Sequence, residues 1–362
     1  MNSAPNDVEY TNTSRRHFAT AELLLARQKS CTNLITIQAR LCQCIWLLGE
    51  SRIDECWNLL GEAARYALAT GLHRASSAHQ APVYDLLVVE SSRRTFWCLY
   101  SLDISLSIAL GRPRTFNDLD IDQELPYLGE ESNGFEDQTL PPVGCARPAA
   151  LATLAFFRLN WMTGKVLRDF YSNHAPSINE QIILATRHSQ SLEDWRDEFH
   201  NILSTEDINT GDSTSLLQLR RSDLLNLSSL HTTILINRLF VLERLASSHD
   251  ASKCYSGTDE EREVDLRVGT CVTASSNITN ILSNDHDAER MVRTFWFMPF
   301  IALSAITVLY SYTACQSSAQ AQPDRDHLSD AARCQMLLLG LVKEDSLVAK
   351  YSLALEDLRS QI

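Results

Sequence analysis

The stretch ESSRRTFWCLYSLDISLSIALGRPRTFNDLDIDQELP, residues 90–126, decides how the chain is read. Phe96, Tyr100, Ile104 and Ile108 recur every four positions, with Trp97 and Leu106 widening the stripe, so a helix is predicted over Tyr84–Leu110. Gly111 supplies a left-handed cap, Arg112 follows, and Pro113 forbids the helix from resuming. Asp103 sits in the middle of the apolar run and needs a partner. Arg112 or Arg114, on the returning chain, is the expected one, giving a buried ion pair. The alternative is that Asp103 faces water beside Ser105 and Ser107. Arg93 and Arg94 either dock on the acids at 118–124 or form a solvated first turn. Asp118, Asp120, Asp122 and Glu124 alternate like the first ligands of a calcium loop, but Gln123 stands where glycine is required and Gly129 where glutamate is. From Asp118 to Asp137 there are eight acids and no base, which reads as a solvated loop ending its first part at Leu125-Pro126.

Working outward, Ile53–Thr70 is predicted as a helix, with Ser51 placed to cap it and Gly71 just past its end. Trp57, Leu60, Gly61, Ala64 and Leu68 share one face, and the small residues suggest a close helix approach there. Short helices are expected at 18–29 and 34–48. Longer ones are expected at 149–172, 178–203, 216–247, 264–283, 287–315, 328–342 and 344–358, with polar connectors at 73–83, 117–148, 204–215, 248–262 and 316–327. Glycine (12) and proline (10) are scarce and no strand-period run occurs, so the fold class is all-α: one large domain of about ten helices without significant β-sheet. The uncharged run Thr294–Gln322 is long enough to span a bilayer, but Pro299, Ser304, Thr307, Ser311 and Thr313 dilute it, and a buried central helix is expected.

The formal charge is −13, from 32 basic and 45 acidic residues, and no basic run reaches five. Direct binding of nucleic acid by this chain is therefore not expected. None of the ten cysteines forms a Cys-x2-Cys pair, most lie in apolar helical patterns, and the first residues are polar, so an intracellular, reduced protein is expected. The usual catalytic signatures are not found: no Gly-x-Ser-x-Gly elbow, phosphate loop or His-Glu-x-x-His. A terpene-synthase-like reading fails because the metal motifs begun at Asn117-Asp118 and Asn284-Asp285 continue with Ile121 and Leu125, and with Ala288 and Val292. His73 and His79 make a poor metal pair, and His73 is better placed to satisfy its helix end. His231 shares a face with Leu227, Ile234 and Leu235 and reads as a core histidine.

Two blocks together resemble the fungal-specific transcription factor domain, the middle homology region of fungal zinc-cluster transcription factors. The first is Trp57, Gly61, Ala63, Arg65, Ala67, Gly71, Leu72, His73 and Arg74. The second is Arg93, Arg94, Trp97, Tyr100, Asp103, Gly111, Arg112 and Pro113, followed by Asp120, Asp122 and Pro126. Fainter similarities follow at Leu230-His231, Arg238-Leu239-Phe240, Cys271, Ala274 and Pro299-Phe300, with Leu239 where proline is usual. With the resemblance covering residues 18–315 as a regulatory domain, a disordered or polar lead is expected at 1–17 and a helical extension at 316–362. The resemblance also implies a nuclear, or otherwise cytoplasmic, regulator of transcription rather than an enzyme. Its partners would belong to the transcription machinery or be a second copy, with a small-molecule effector possible and no membrane. The six-cysteine zinc cluster of the family is not among these residues, so neither zinc nor DNA is assigned to any of them, and no cofactor is expected. A small-molecule-sensing helical domain is the alternative.

Overall fold

A computed structural model describes residues 5–27, 33–75, 86–127, 143–173, 176–203, 213–249, 259–287, 296–318, 325–341 and 346–360. Among these residues there are twelve α-helices, one 3-10 turn at Asp118–Asp120 and no strand. The helices are α1 (Pro5–Arg27), α2 (Leu34–Gly49), α3 (Ile53–Ala69), α4 (Leu86–Leu110), α5 (Val143–Phe170), α6 (Ile178–Glu198), α7 (His200–Leu203), α8 (Ser213–His249), α9 (Asp259–Asp287), α10 (Met298–Ser318), α11 (Arg325–Leu341) and α12 (Leu347–Ser360). The connectors expected at 204–215 and 248–262, the residues 84–85 and the last part of the acidic run fall wholly or largely outside the described residues.

The chain divides into two compact units, Met1–Pro126 and Tyr127–Ile362, where the sequence suggested one domain over 18–315. Amphipathic helices read alike on both sides of Pro126, so the periodicity carries no boundary. The lead expected at 1–17 is also helical from Pro5 onward, as part of α1.

In the first unit α2 and α3 form a hairpin. Asn33 caps α2, its Oδ1 accepting from the Thr36 amide at 3.0 Å. The hairpin turns on Ser51, which has φ 61° and whose amide, with that of Arg52, bonds back to Leu48 and Leu47. This is a Schellman stop with serine where glycine is usual. Ser51 therefore closes α2 rather than capping α3, whose cap residue Arg52 makes no side-chain bond. α3 ends in the same motif with Gly71 at φ 74°. Its buried face is Ile53, Cys56, Leu60, Ala63, Ala64 and Ala67, rotated from the predicted stripe so that Trp57, Gly61 and Leu68 lie at its edge. A Cβ on Gly61 would meet only the end of the Arg65 side chain of the same helix, at an ordinary contact distance of 3.4 Å, so no other helix approaches closely at this glycine.

From Thr95 to Ser107, α4 is buried on every side except at Cys98. Phe96, Leu99 and Tyr100 are fully inaccessible, and each large side chain buried this way stabilises the fold by roughly 1.5–3 kcal/mol. Ile108, the last residue of the predicted stripe, is only half-buried.

In the second unit α8, α9 and α10 pack on one another. α5 and α6 cover α8, α11 lies on α9 and α10, and α12 lies on α10 and α11. By length and composition α10 could cross a membrane. Here Ile301, Ala302, Ala305, Ile306, Leu309, Tyr310 and Thr313 are all buried inside the bundle. The Tyr310 hydroxyl donates to Gln335 at 2.6 Å, and Gln335 donates to the Ser352 carbonyl at 2.9 Å, tying three helices through one amide.

Candidate functional site

The residues singled out in the sequence converge on the segment that follows α4. Four of them sit at 93, 97, 100 and 103, so one face of the helix presents all four. Each engages the returning loop. Arg93, buried in spite of its charge, forms an ion pair with Glu124. Trp97 Nε1 donates to the Glu124 carbonyl at 2.8 Å, and the Tyr100 hydroxyl donates to Asp118 at 2.7 Å. The Asp103 carboxylate accepts from the Thr115 amide at 2.9 and 3.1 Å and from the Phe116 amide at 3.1 Å.

The partner of Asp103 is thus the backbone, not Arg112 or Arg114. Gly111, at φ 63°, turns the chain so that the amides of Thr115 and Phe116 meet the carboxylate, while the Arg114 guanidinium is taken by Asp118. Burial raises the Asp103 carboxyl above its ordinary value, and the Phe116 and Thr115 amides pull only partly against it. Arg114 instead grips Asp118 with two bonds of 3.0 Å. Burial weakens the Arg114 charge, yet Asp118 and Tyr100 more than offset that and leave it raised. Burial, then Asp118, holds the Tyr100 phenol protonated. Arg112 pairs with exposed Asp54 on α3 and lies 4.7 Å over the Trp57 ring. Arg94 is exposed and pairs with Glu90 one turn back on α4.

The far side of the loop is held by the turn after α3. The His73 carbonyl accepts from the Asp122 and Gln123 amides at 3.2 and 3.1 Å. Asp122 accepts from the Ala75 amide at 2.9 Å, and buried Gln123 donates to the Leu72 carbonyl at 2.8 Å. His73 therefore acts through its backbone rather than by satisfying its helix end. Its ring accepts from Arg74 at 3.2 Å and is lowered by burial and by Arg74, with Asp122 and Asp120 opposing. Asp120 is exposed and accepts from Asn117 at 3.1 Å. Pro113 and Arg74 are exposed and Pro126 is half-buried.

Over its described part, up to Glu124, the acidic run is accordingly not a freely solvated loop: Asp118, Gln123 and Glu124 are anchors and Asp122 accepts from the Ala75 amide, while Asp120 stays at the surface. Sequence reasoning did not identify Gln123, Asp54 or the amides at 115 and 116. A glutamine among acids reads as solvated, and a backbone group has no letter. Chemically the arrangement is a clamp, in which the nearby acids, phenol and guanidiniums are spent on one another and on amides. Among the described residues no group of three His, Cys, Asp or Glu side chains could hold a metal ion.

The later residues lie in the second unit. His231 is buried, its ring edge-on to Phe297 at 5.6 Å. Burial, aided by Arg238, pushes it down to about 3. Arg238 donates to the Tyr171 hydroxyl at 2.7 Å and lies over that ring.

A family model described as the fungal specific transcription factor domain matches residues 1–197, a span that includes the whole clamp. The chain is 24% identical over 324 residues to Activator of stress genes 1 of Saccharomyces cerevisiae, covering 88% of this chain and 32% of that protein. It is 28% identical over 174 residues to the transcriptional activator protein acu-15 of Neurospora crassa (47% and 19%). It is 24% identical over 180 residues to the regulatory protein CAT8 of Saccharomyces cerevisiae (47% and 13%). The chain thus spans about a third or less of the length of these relatives. No solved structure matches it.

Proposed function

Since this chain belongs to the fungal specific transcription factor domain family, we propose that it acts in the nucleus as a regulatory domain, setting the output of a transcription factor through protein partners. The observation that carries this reading is the use made of the family's residues. They build a rigid joint between α3, α4 and the 112–124 loop, as an interaction scaffold requires, and no nucleophile and base are set against each other there. The charge distribution supports a protein partner over nucleic acid. Residues 127–362 hold 20 basic and 31 acidic residues, a net −11 of the total −13, which repels a phosphate backbone.

Tethering tests the reading. The chain, fused to a heterologous DNA-binding module and placed at a reporter promoter, should change expression several-fold in either direction. Asp103→Ala should reduce that effect in proportion to the folded fraction. A tethered chain that is folded and nuclear yet leaves the reporter unchanged would overturn the proposal.

A further inference from the structure

α1 is attached unlike any other helix of its unit. None of its described side chains, from Asn12 to Arg27, is buried, whereas α2 and α3 each contribute several residues to the core. It is held by side chains one turn apart on a single face. The Phe18 ring stacks on Trp46 of α2 at 4.3 Å. Ser14 accepts from Trp46 Nε1 at 3.3 Å. Glu22 accepts from Arg40 and, at 2.9 Å, from Gln43. Arg15, largely exposed, pairs with Glu50 at 3.5 Å. On another face Leu23 and Leu24 are 64% and 55% exposed.

The surface beneath has a definite demand. Arg40 and Gln43 are both buried on α2, and Glu62 meets only one edge of the Arg40 guanidinium, at 3.3 Å. Without a carboxylate at the position of Glu22, a buried cation and a buried amide would lose a shared acceptor. Trp46 beside them offers a flat apolar face. A ligand must therefore bring an aromatic ring and, four residues later on a helix, an acid.

We propose that the Trp46–Gln43–Arg40 surface is a docking site for a partner's helix in which an aromatic residue is followed four positions on by glutamate, and that α1 is the chain's own exchangeable occupant. The buried Arg40 and the face of Trp46 already meet one glutamate and one aromatic ring in this way, from Glu22 and Phe18 of α1. Displacement would free α1 with Leu23 and Leu24 and leave the α2–α3 hairpin intact. This surface gives the partner-binding reading a site, but its test is binding alone, so a chain inert at a promoter can still pass it and an active one can fail.

The probe is a fluorescent peptide copying residues 12–27, titrated into the full chain. A Phe18→Ala/Glu22→Gln chain, whose own α1 competes poorly, should bind it at least about tenfold more tightly than the unaltered chain. A peptide with its phenylalanine and glutamate exchanged should bind at least about tenfold more weakly. Should the double variant fold poorly, the unaltered chain decides: excess peptide should speed amide hydrogen exchange across 12–27 and leave 36–47 protected. Absence of saturable binding, or equal binding of the exchanged peptide, overturns the proposal. So does a concentration-dependent dimer, seen by light scattering, whose α1 stays protected when peptide is added, because the surface would then serve a second copy.

Discussion

Residues 1–126 and residues 127–362 are both helical, and both bury many polar groups, yet they employ their hydroxyls and acids differently. In the first unit buried polar side chains reach across the sequence. Asp103 bonds amides 12 and 13 residues on, Arg93 meets Glu124, Gln123 meets Leu72, and Thr95 accepts from the half-buried Gln38 at 3.1 Å. In the second unit most buried hydroxyls bond back to their own helix, as Ser275 does to Cys271, Ser283 to Thr279 and Thr313 to Leu309, although Thr163 also meets Thr232 at 2.9 Å and Thr233 also accepts from Arg196 at 3.0 Å. A long-range bond states which segment belongs beside which. A bond to the preceding turn states only that the group is satisfied, leaving apolar packing to choose the neighbours. The matched family span covers the whole first unit and runs on to residue 197 in the second.

The contrast breaks most visibly at Asp103. Replacing it with alanine leaves the Thr115 and Phe116 amides without an acceptor at a site that is 2% exposed. The expected loss is about 3 kcal/mol, somewhat less than for a freely ionised buried acid because burial already disfavours its charge. Urea denaturation should show the loss as a lower midpoint with an unchanged slope. A variant within about 0.5 kcal/mol of the parent would mean that the clamp does not hold the first unit together.

In the second unit the sharpest test uses pH. His231 titrates near 6.5 when unfolded and is pushed down to about 3 when folded. Below pH 6.5 the unfolded chain takes up a proton that the folded ring refuses, so stability present above 6.5 is lost as pH falls. Between pH 7.5 and 5 this one ring should cost about 2 kcal/mol. His188, also lowered by burial, adds a loss of the same sign. A His231→Gln chain, measured over the same range, should keep that difference. Parallel pH profiles for the two chains would show that His231 is not held neutral in the bundle.

The sequence made the elements legible more readily than their partners. The helix before Gly111, its forced stop, and the glycine after α3 followed from side-chain periodicity and backbone sterics, and most predicted helices appear within a few residues of their place, but the one expected at 18–29 starts at Pro5, the one expected at 287–315 starts at Met298 after a turn at 296–297, and the one expected at 178–203 breaks at Phe199. Which group receives Asp103 did not follow, because an amide is the same at every position. Nor did the buried role of Gln123, whose neighbours are all acids, or the division after Pro126, across which the apolar pattern does not change. In the second unit even a correct set of helices left their packing order open, because nothing in the sequence tells hydroxyls bonded within a helix from groups such as Gln335 that cross to a neighbour.

Ser51 gives a smaller test of the same logic. It occupies the left-handed position that Gly71 and Gly111 fill in the other two helix stops of the first unit. Ser51 is exposed. Ser51→Gly should raise stability by about 0.5–1 kcal/mol by relieving backbone strain. Gly111→Ala should lower it by about 1 kcal/mol, although nothing lies within 4 Å of the added methyl group. If both substitutions left the thermal midpoint unchanged, the turns would not be governed by φ.

The smallest expected effect is the counterpart of the first. Thr279 is fully buried in α9, and its hydroxyl donates to the Ser276 carbonyl at 2.8 Å. That carbonyl also lies inside the helix, where the backbone ladder supplies a donor. Thr279→Val keeps the branched shape and removes the hydroxyl without stranding a partner, so the change should stay within about 0.5 kcal/mol. Asp103 and Thr279 are comparably buried polar residues, and they differ in whether the partner depends on them. A loss at Thr279 approaching that at Asp103 would show that buried polar groups in both units fix tertiary structure alike. The distinction between a unit tied by long-range polar bonds and one packed by its apolar faces would then not stand.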